Sequence, residues 1–221
     1  MDGQCAFCGL SNHDRICKGG EKAPPFCCTR IYQKNIEQSL QTYKTAPFDR
    51  IAIASAKNER NCYDCTTGIE GIPRPIKCRL EETIDFCKAS GYHKLGFAFC
   101  GALQKEAAIV AKILCSHGFQ LVSVMCKVGG LDKMVLGLPD EEKLHPGKFE
   151  PMCNPIAQAA ILNESNTEFN IVMGLCVGHD ALFLANSQAL CTVLAVKDRL
   201  LGHNPLAAVY TSHTYYHYLE G

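Results

Sequence analysis

Three short apolar runs each end on a cysteine: Leu95-Gly-Phe-Ala-Phe-Cys100, Leu121-Val-Ser-Val-Met-Cys126 and Ile171-Val-Met-Gly-Leu-Cys176. Short apolar runs that alternate with stretches of helical period are the pattern of strands in βαβ units. Their near-continuous apolar character implies burial on both faces, as in a parallel sheet. A fourth cysteine, Cys153, stands in Pro151-Met-Cys-Asn-Pro-Ile-Ala-Gln158. There Pro155 is well placed to occupy the first turn of a helix. The predicted fold class is therefore α/β. It is a Rossmann-like or flavodoxin-like parallel sheet with strands at 94–100, 119–126, 169–176 and 192–197. Right-handed crossovers should place helices on both faces. The helical pattern covers Leu80 to Ser90 with Gly91 as its stop, Gly101 to His117, Pro155 to about Asn163, Ala181 to Ala185 and Leu206 to Tyr210.

In open sheets of this kind the ligand crevice lies outside the carboxyl ends of the strands. Cys100, Cys126, Cys153 and Cys176 are thus expected to face one place. A thiol at a helix N-terminus is biased toward thiolate, the form that both metal ligation and nucleophilic attack require. Four such sulfurs suit an iron–sulfur cluster or another thiolate-bound metal. His179, Asp180, Asp198 and His203 follow strand ends on the same edge. They could serve as proton donors or as supports of the ligands. For Asp180 and Asn204, helix capping and turn formation explain the residues equally well. The loop from Lys127 to Pro146 is long enough to be more than a connector.

Charge narrows the partners. Lysine plus arginine and aspartate plus glutamate both number 22, so no basic footprint for nucleic acid or an anionic membrane is expected. No apolar run reaches the length of a membrane-spanning helix, and the start of the chain does not read as a secretory signal. A cytoplasmic setting is expected, with metal ions and a small-molecule substrate or electron donor as partners. In a reducing compartment 15 cysteines are not a disulfide framework. Cys87, Cys115 and Cys191 have the apolar neighbours of core filler.

The other cysteines are grouped. Cys5-Ala-Phe-Cys8-Gly9 is a C-x-x-C knuckle, followed by Cys17 and by Cys27-Cys28. Two thiolates on a tight turn, joined by Cys17 and Cys27 or Cys28, can close a tetrahedral structural site. Zinc is the default occupant and an iron–sulfur group suits the same ligands. His13 is a substitute ligand or a solvent-exposed histidine. Helices are expected from Thr29 to Tyr43, with Thr29 as cap, and from Pro47 through Ala56. A second C-x-x-C, Cys62 and Cys65, precedes an Ile69–Pro75 loop and Cys78. These three are ligands of another site completed by Cys28, water or substrate, or else a redox pair or reduced thiols. The organisation is then a cysteine-rich segment at 1–45, a helical and irregular connector at 46–79, and the α/β domain at 80–221. No strand is followed by G-x-G-x-x-G, and no G-x-S-x-G occurs.

Three blocks carry a resemblance: Cys153-Asn-Pro-Ile-Ala-Gln158, Gly174-Leu-Cys-Val-Gly-His-Asp180 and Lys197-Asp-Arg-Leu-Leu-Gly-His-Asn-Pro205. With Cys126-Lys-Val-Gly129 and Cys5-x-x-Cys8 they resemble an uncharacterised prokaryotic metal-binding family, domain of unknown function 1847. The resemblance spans nearly the whole chain and implies metal binding and a prokaryotic origin. It carries no reaction with it. Typical members are expected to have a shorter, cysteine-free link in place of Asn58 to Cys78. Three classes of function follow. One is an iron–sulfur or thiolate-metal redox protein, where an open iron would permit desulfuration or reductive activation. Another is a non-catalytic zinc sensor or metallochaperone. The third is a metal-free thiol enzyme with Cys176 as nucleophile beside His179.

Overall fold

The computed structural model describes residues 2–69 and 72–220. Its contacts divide the chain into two compact units, Met1–Arg60 and Asn61–Gly221, where the sequence suggested three segments. No helix among the described residues is long and apolar enough to cross a membrane.

The first unit opens on two 3-10 turns, Cys5–Phe7 and Ile16–Lys18. The Arg15 guanidinium ties them by donating to the carbonyls of Leu10 at 2.7 Å and Cys8 at 3.1 Å. Three helices follow: α1 at Cys28–Ile31, α2 at Gln33–Thr42 and α3 at Phe48–Asn61. The single helix expected from Thr29 to Tyr43 is thus two. Tyr32 leaves the helical region, with φ −109° and ψ 32°, while its hydroxyl accepts from the Gly3 N–H at 3.4 Å. Cys27, not Thr29, flanks the first helix.

The second unit begins with an antiparallel hairpin, β1 at Tyr63–Ile69 and β2 at Ile72–Pro75. Sequence had this stretch as irregular. Every residue of β2 is exposed, so no buried face left an apolar period to read. The α/β body follows in the order α4 (Arg79–Ala89), β3 (Lys94–Phe99), α5 (Gln104–Ser116), β4 (Gln120–Met125), α6 (Pro155–Glu164), β5 (Phe169–Met173), α7 (His179–Asn186), β6 (Leu190–Ala195) and α8 (Leu206–Tyr210).

Strands β3 to β6 form one parallel sheet in the spatial order β4-β3-β5-β6. The chain steps outward from β3 to β4, then crosses back to β5 on the other side. This flavodoxin-like order puts the topological switch point between β3 and β5. Alternation along the strands sorts the core into two faces. Leu95, Phe97, Phe169 and Ile171 pack with Ile84 and Cys87 of α4 and Val110 and Leu114 of α5. On the opposite face Ala98, Val124 and Val172 pack with Ala159 and Leu162 of α6 and Phe183 of α7. The sheet is thus flanked by helices as expected.

Several boundaries differ from expectation, and the differences matter at the carboxyl edge. No cysteine at that edge lies within a strand: β3 and β4 stop one residue before Cys100 and Cys126. Strand β5 stops at Met173, because Gly174 turns left-handed with φ +64°. Glycine suits this left-handed φ, and a side chain at Gly174 would start 2.3 Å from Leu103 Cδ1, which would have to swing aside. Cys176 therefore sits in a loop three residues beyond its strand. Strand β6 starts at Leu190 and takes Cys191 into the sheet. Gly101–Leu103 is a 3-10 turn ahead of α5. Asp180 lies in the first turn of α7, behind Gly178 at the cap. Cys87 is fully buried, but Cys115 is exposed rather than core filler.

Candidate functional site

The site is built by strand parity. Cys100 continues the alternation of Ala98, and Cys126 that of Val124, so both thiols join the face covered by α6 and α7. Each is held as if the sheet ran one residue further: the Cys100 N–H donates to the Met173 carbonyl at 3.1 Å and the Cys126 N–H to the Phe99 carbonyl at 2.9 Å. The Asn154 N–H donates to the Cys126 carbonyl at 2.7 Å, which brings the start of α6 onto the end of β4. Asn154 also caps α6 by accepting from the Ala157 N–H at 3.0 Å.

These bonds set the half-buried Cys153 against the buried Cys126, with their sulfurs 3.7 Å apart. The Gly101 N–H donates to the Cys126 sulfur at 3.3 Å. The contact polarises the pair. Cys153 is lowered to about 5, chiefly by its hydrogen bond with Cys126 and, against burial, by the charges of Lys127 and His179. Cys126 is driven upward by the same hydrogen bond and by burial, with Cys153 and Cys100 adding like charge. One thiol is thereby readied as a thiolate and its neighbour keeps the proton.

Gln158 backs the pair. It is fully buried, and its amide donates to the Val124 carbonyl at 2.7 Å and the Phe99 carbonyl at 3.3 Å. Its Oε1 has no hydrogen-bond partner among the described residues. The loop from β4 to α6 is pinned at both ends. Lys127 Nζ donates to the Pro151 carbonyl at 2.5 Å and the Met152 N–H to the Leu131 carbonyl at 2.7 Å. Midway, the buried Lys143 ammonium meets Asp140 at 2.6 Å and Asp132 at 3.9 Å, and Lys133 pairs with Glu150.

The remaining residues singled out from sequence have other surroundings. Cys176 accepts from the Arg199 guanidinium at 3.0 Å. His179 is the first residue of α7 and within electrostatic reach of Cys153. Asp198 accepts from the Leu200 and Leu201 N–H groups at 3.0 and 2.8 Å, which makes it a turn-former. His203, at φ +67°, has Nδ1 3.0 Å from the Val196 carbonyl oxygen, inside the same turn. In the first unit, Cys28 is raised by its hydrogen bond with Cys5 and by burial, with Cys5 and Cys27 nearby. Burial opposes it, but the Thr29 and Arg30 N–H groups hold Cys27 below its ordinary value. Cys8 closes the first turn and Cys17 is exposed on the second. Cys62 is buried and raised by that burial and by the Glu82 carboxylate. Cys78 caps α4 reciprocally with Glu81, and Cys65 is exposed on β1.

A thiolate metal centre can be tested against this donor set. Of the four edge sulfurs expected to share one cluster, Cys126 and Cys153 are in contact, Cys100 adjoins Cys126, and Cys176 is engaged by Arg199. No group of three or more His, Cys, Asp or Glu side chains among the described residues is arranged to hold a metal ion. Cys126 and Cys153 are the edge sulfurs in direct contact.

Fold and site together define a class: an open, flavodoxin-like α/β protein with paired cysteines at the carboxyl edge beside its switch point. The chain belongs to the family described as "Protein of unknown function (DUF1847)", whose model matches residues 27–194. It is 43% identical over 218 residues to "Uncharacterized protein MJ0455" of the archaeon Methanocaldococcus jannaschii, across 99% of each chain. No solved structure matches the chain significantly. The family match takes in Cys100, Cys126, Cys153 and Cys176 and begins beyond Cys5, Cys8 and Cys17. Sequence reasoning gave no role to Gln158, Lys127 or Arg199, although each stood in a quoted block. The alternation of Ala98 with Cys100 and of Val124 with Cys126 was the available signal for which thiols share a face.

Proposed function

We propose that the protein is a thiol redox protein whose working sulfurs are Cys153 and Cys126. The 3.7 Å contact between a half-buried and a buried thiol at the carboxyl edge of the sheet carries this reading. The Cys153 thiolate attacks a disulfide R–S–S–R′, forming a mixed disulfide with R while R′S⁻ leaves and is protonated by solvent. Cys126 then gives its proton to water and attacks Cys153 Sγ, and RS⁻ leaves and is protonated in turn. The bound disulfide is reduced by two electrons to two thiols, and the protein keeps a Cys126–Cys153 disulfide. Closing that bond requires the sulfurs to approach to about 2.05 Å. Lys127 and His179 supply positive charge to the Cys153 thiolate. A metal belongs to this proposal at the N-terminus, where Cys5, Cys27 and Cys28, with Cys8 or Cys17, would hold a structural zinc or iron–sulfur group.

The test is stoichiometric oxidation of anaerobically purified protein with a small-molecule disulfide. A Cys126–Cys153 cross-link should appear in the peptide map. Cys126→Ser should instead accumulate the mixed disulfide on Cys153, and Cys153→Ser should react at neither position. Iron, sulfide or zinc that is bound in the parent and lost in Cys153→Ser would replace this reading with a metal centre at the edge.

A further inference from the structure

We propose an oxyanion-binding subsite at the carboxyl ends of β5 and β6, formed by Lys197 and Arg199 around Cys176. Of the lysines elsewhere in this unit that are at least partly buried, Lys77, Lys133 and Lys143 have carboxylate partners in Asp85, Glu150 and Asp140, Lys127 donates to the Pro151 carbonyl, and Lys94, at the opposite end of the sheet, has no carboxylate partner among the described residues. Lys197 is half-buried, yet it has no carboxylate partner among the described residues, and neither does Arg199. An ammonium and a guanidinium without a carboxylate neighbour are open to an anionic ligand. Asp198, between the two cations, is turned onto its own loop and accepts from the Leu200 and Leu201 N–H groups.

Position gives the two charges a purpose. Lys197 Nζ stands 3.8 Å from where a side chain at Gly174 would begin, and Leu103 Cδ1 is 2.3 Å from the same point. Leu103 follows β3 and Gly174 follows β5, so the ammonium lies at the switch point, where open α/β sheets take their ligands. Arg199 reaches the same loop through Cys176 Sγ at 3.0 Å. A guanidinium fork and an ammonium suit the oxygens of a carboxylate or a phosphate. Resting on the thiol redox reading, this makes the partner a small thiol or disulfide that carries such a group.

The experiment compares alkylation of Cys176 by iodoacetate, which is anionic, and iodoacetamide, which is neutral, using peptide mass spectrometry. Both reagents attack the same thiolate, so its ionisation cancels in the rate ratio. The ratio should fall by about fivefold in Lys197→Met and in Arg199→Gln, the effect of one nearby charge in a wet crevice. Lys197→Arg should restore it. Inorganic phosphate and acetate are the competing probes, and the one that slows iodoacetate in the parent but not in Lys197→Met identifies the oxyanion. An unchanged ratio in folded Lys197→Met, or protection by neither anion, would overturn the subsite. The Cys126–Cys153 cross-link is mapped in the same digest, so failure of the subsite and failure of the dithiol are read separately.

Discussion

At the scale of single residues the proposed thiol chemistry rests on an unequal sharing of one proton. The hydrogen bond with Cys126 is the largest cause of the lowered Cys153 value, ahead of the charges on Lys127 and His179. The rate of Cys153 alkylation by a neutral reagent should therefore titrate with a midpoint near 5 in the parent. In Cys126→Ala that midpoint should climb toward the ordinary thiol value of 9.0, and in Lys127→Met by less. A Cys126→Ala profile that overlays the parent would assign the thiolate to another cause. Gln158 makes a different kind of contribution. Replacing it by leucine strips donors from the Phe99 and Val124 carbonyls and also removes the unpartnered Oε1. The two effects oppose each other, and a net loss of about 1–2 kcal/mol is expected, measured as a lower denaturation midpoint at unchanged slope. No loss at all would mean that the carbonyls find other donors.

At the scale of elements, the β4–α6 loop determines whether Cys153 meets Cys126. Its carboxylates are held below their ordinary values: Asp132 by the N–H groups of Met134 and Glu150, Asp140 by Lys143, and Glu150 by Lys133. A depressed carboxylate contributes stability above its unfolded value and loses it as pH falls through the folded one. The loop should therefore be tight at neutral pH and loosen below about pH 4, seen as faster amide exchange over 131–152 while the strands stay protected. Lys143→Met should bring the same loosening to neutral pH, at a cost of about 1.5–3 kcal/mol for a lost charge-assisted bond. Protection equal to the parent's at both pH values would remove the clamp from the account. The strands were legible because β3 and β5 are buried on both faces and so are apolar but for Lys94 at the start of β3 and Asn170 in β5. The pairing of β1 with β2 was not, since the exposed residues of β2 carry no period. The shared cysteine edge was legible as topology, but the placement of each sulfur was not. Gly174 ends β5 early and swings Cys176 to Arg199, a backbone event that the apolar run Ile171 to Leu175 concealed.

At the scale of the whole molecule the two units should respond to different perturbations. Both apolar clusters are built from residues of Asn61–Gly221, and the parallel sheet lies wholly within it. Among the described residues the first unit has little buried apolar surface of its own, Cys27 and Ala54 being its buried residues, and the ion proposed at its cysteines would supply order that burial does not. The double replacement Cys5→Ser with Cys28→Ser should make residues 1–30 sensitive to protease and lower bound metal, while the unfolding midpoint of the α/β body stays in place. Chelation of the parent should reproduce the protease pattern. The segment 61–221 made alone should still unfold cooperatively and still form the Cys126–Cys153 cross-link. A chelated parent whose 1–30 segment keeps its resistance would remove the N-terminal metal site. A 61–221 segment without a cooperative transition would show that the second unit does not carry its own stability.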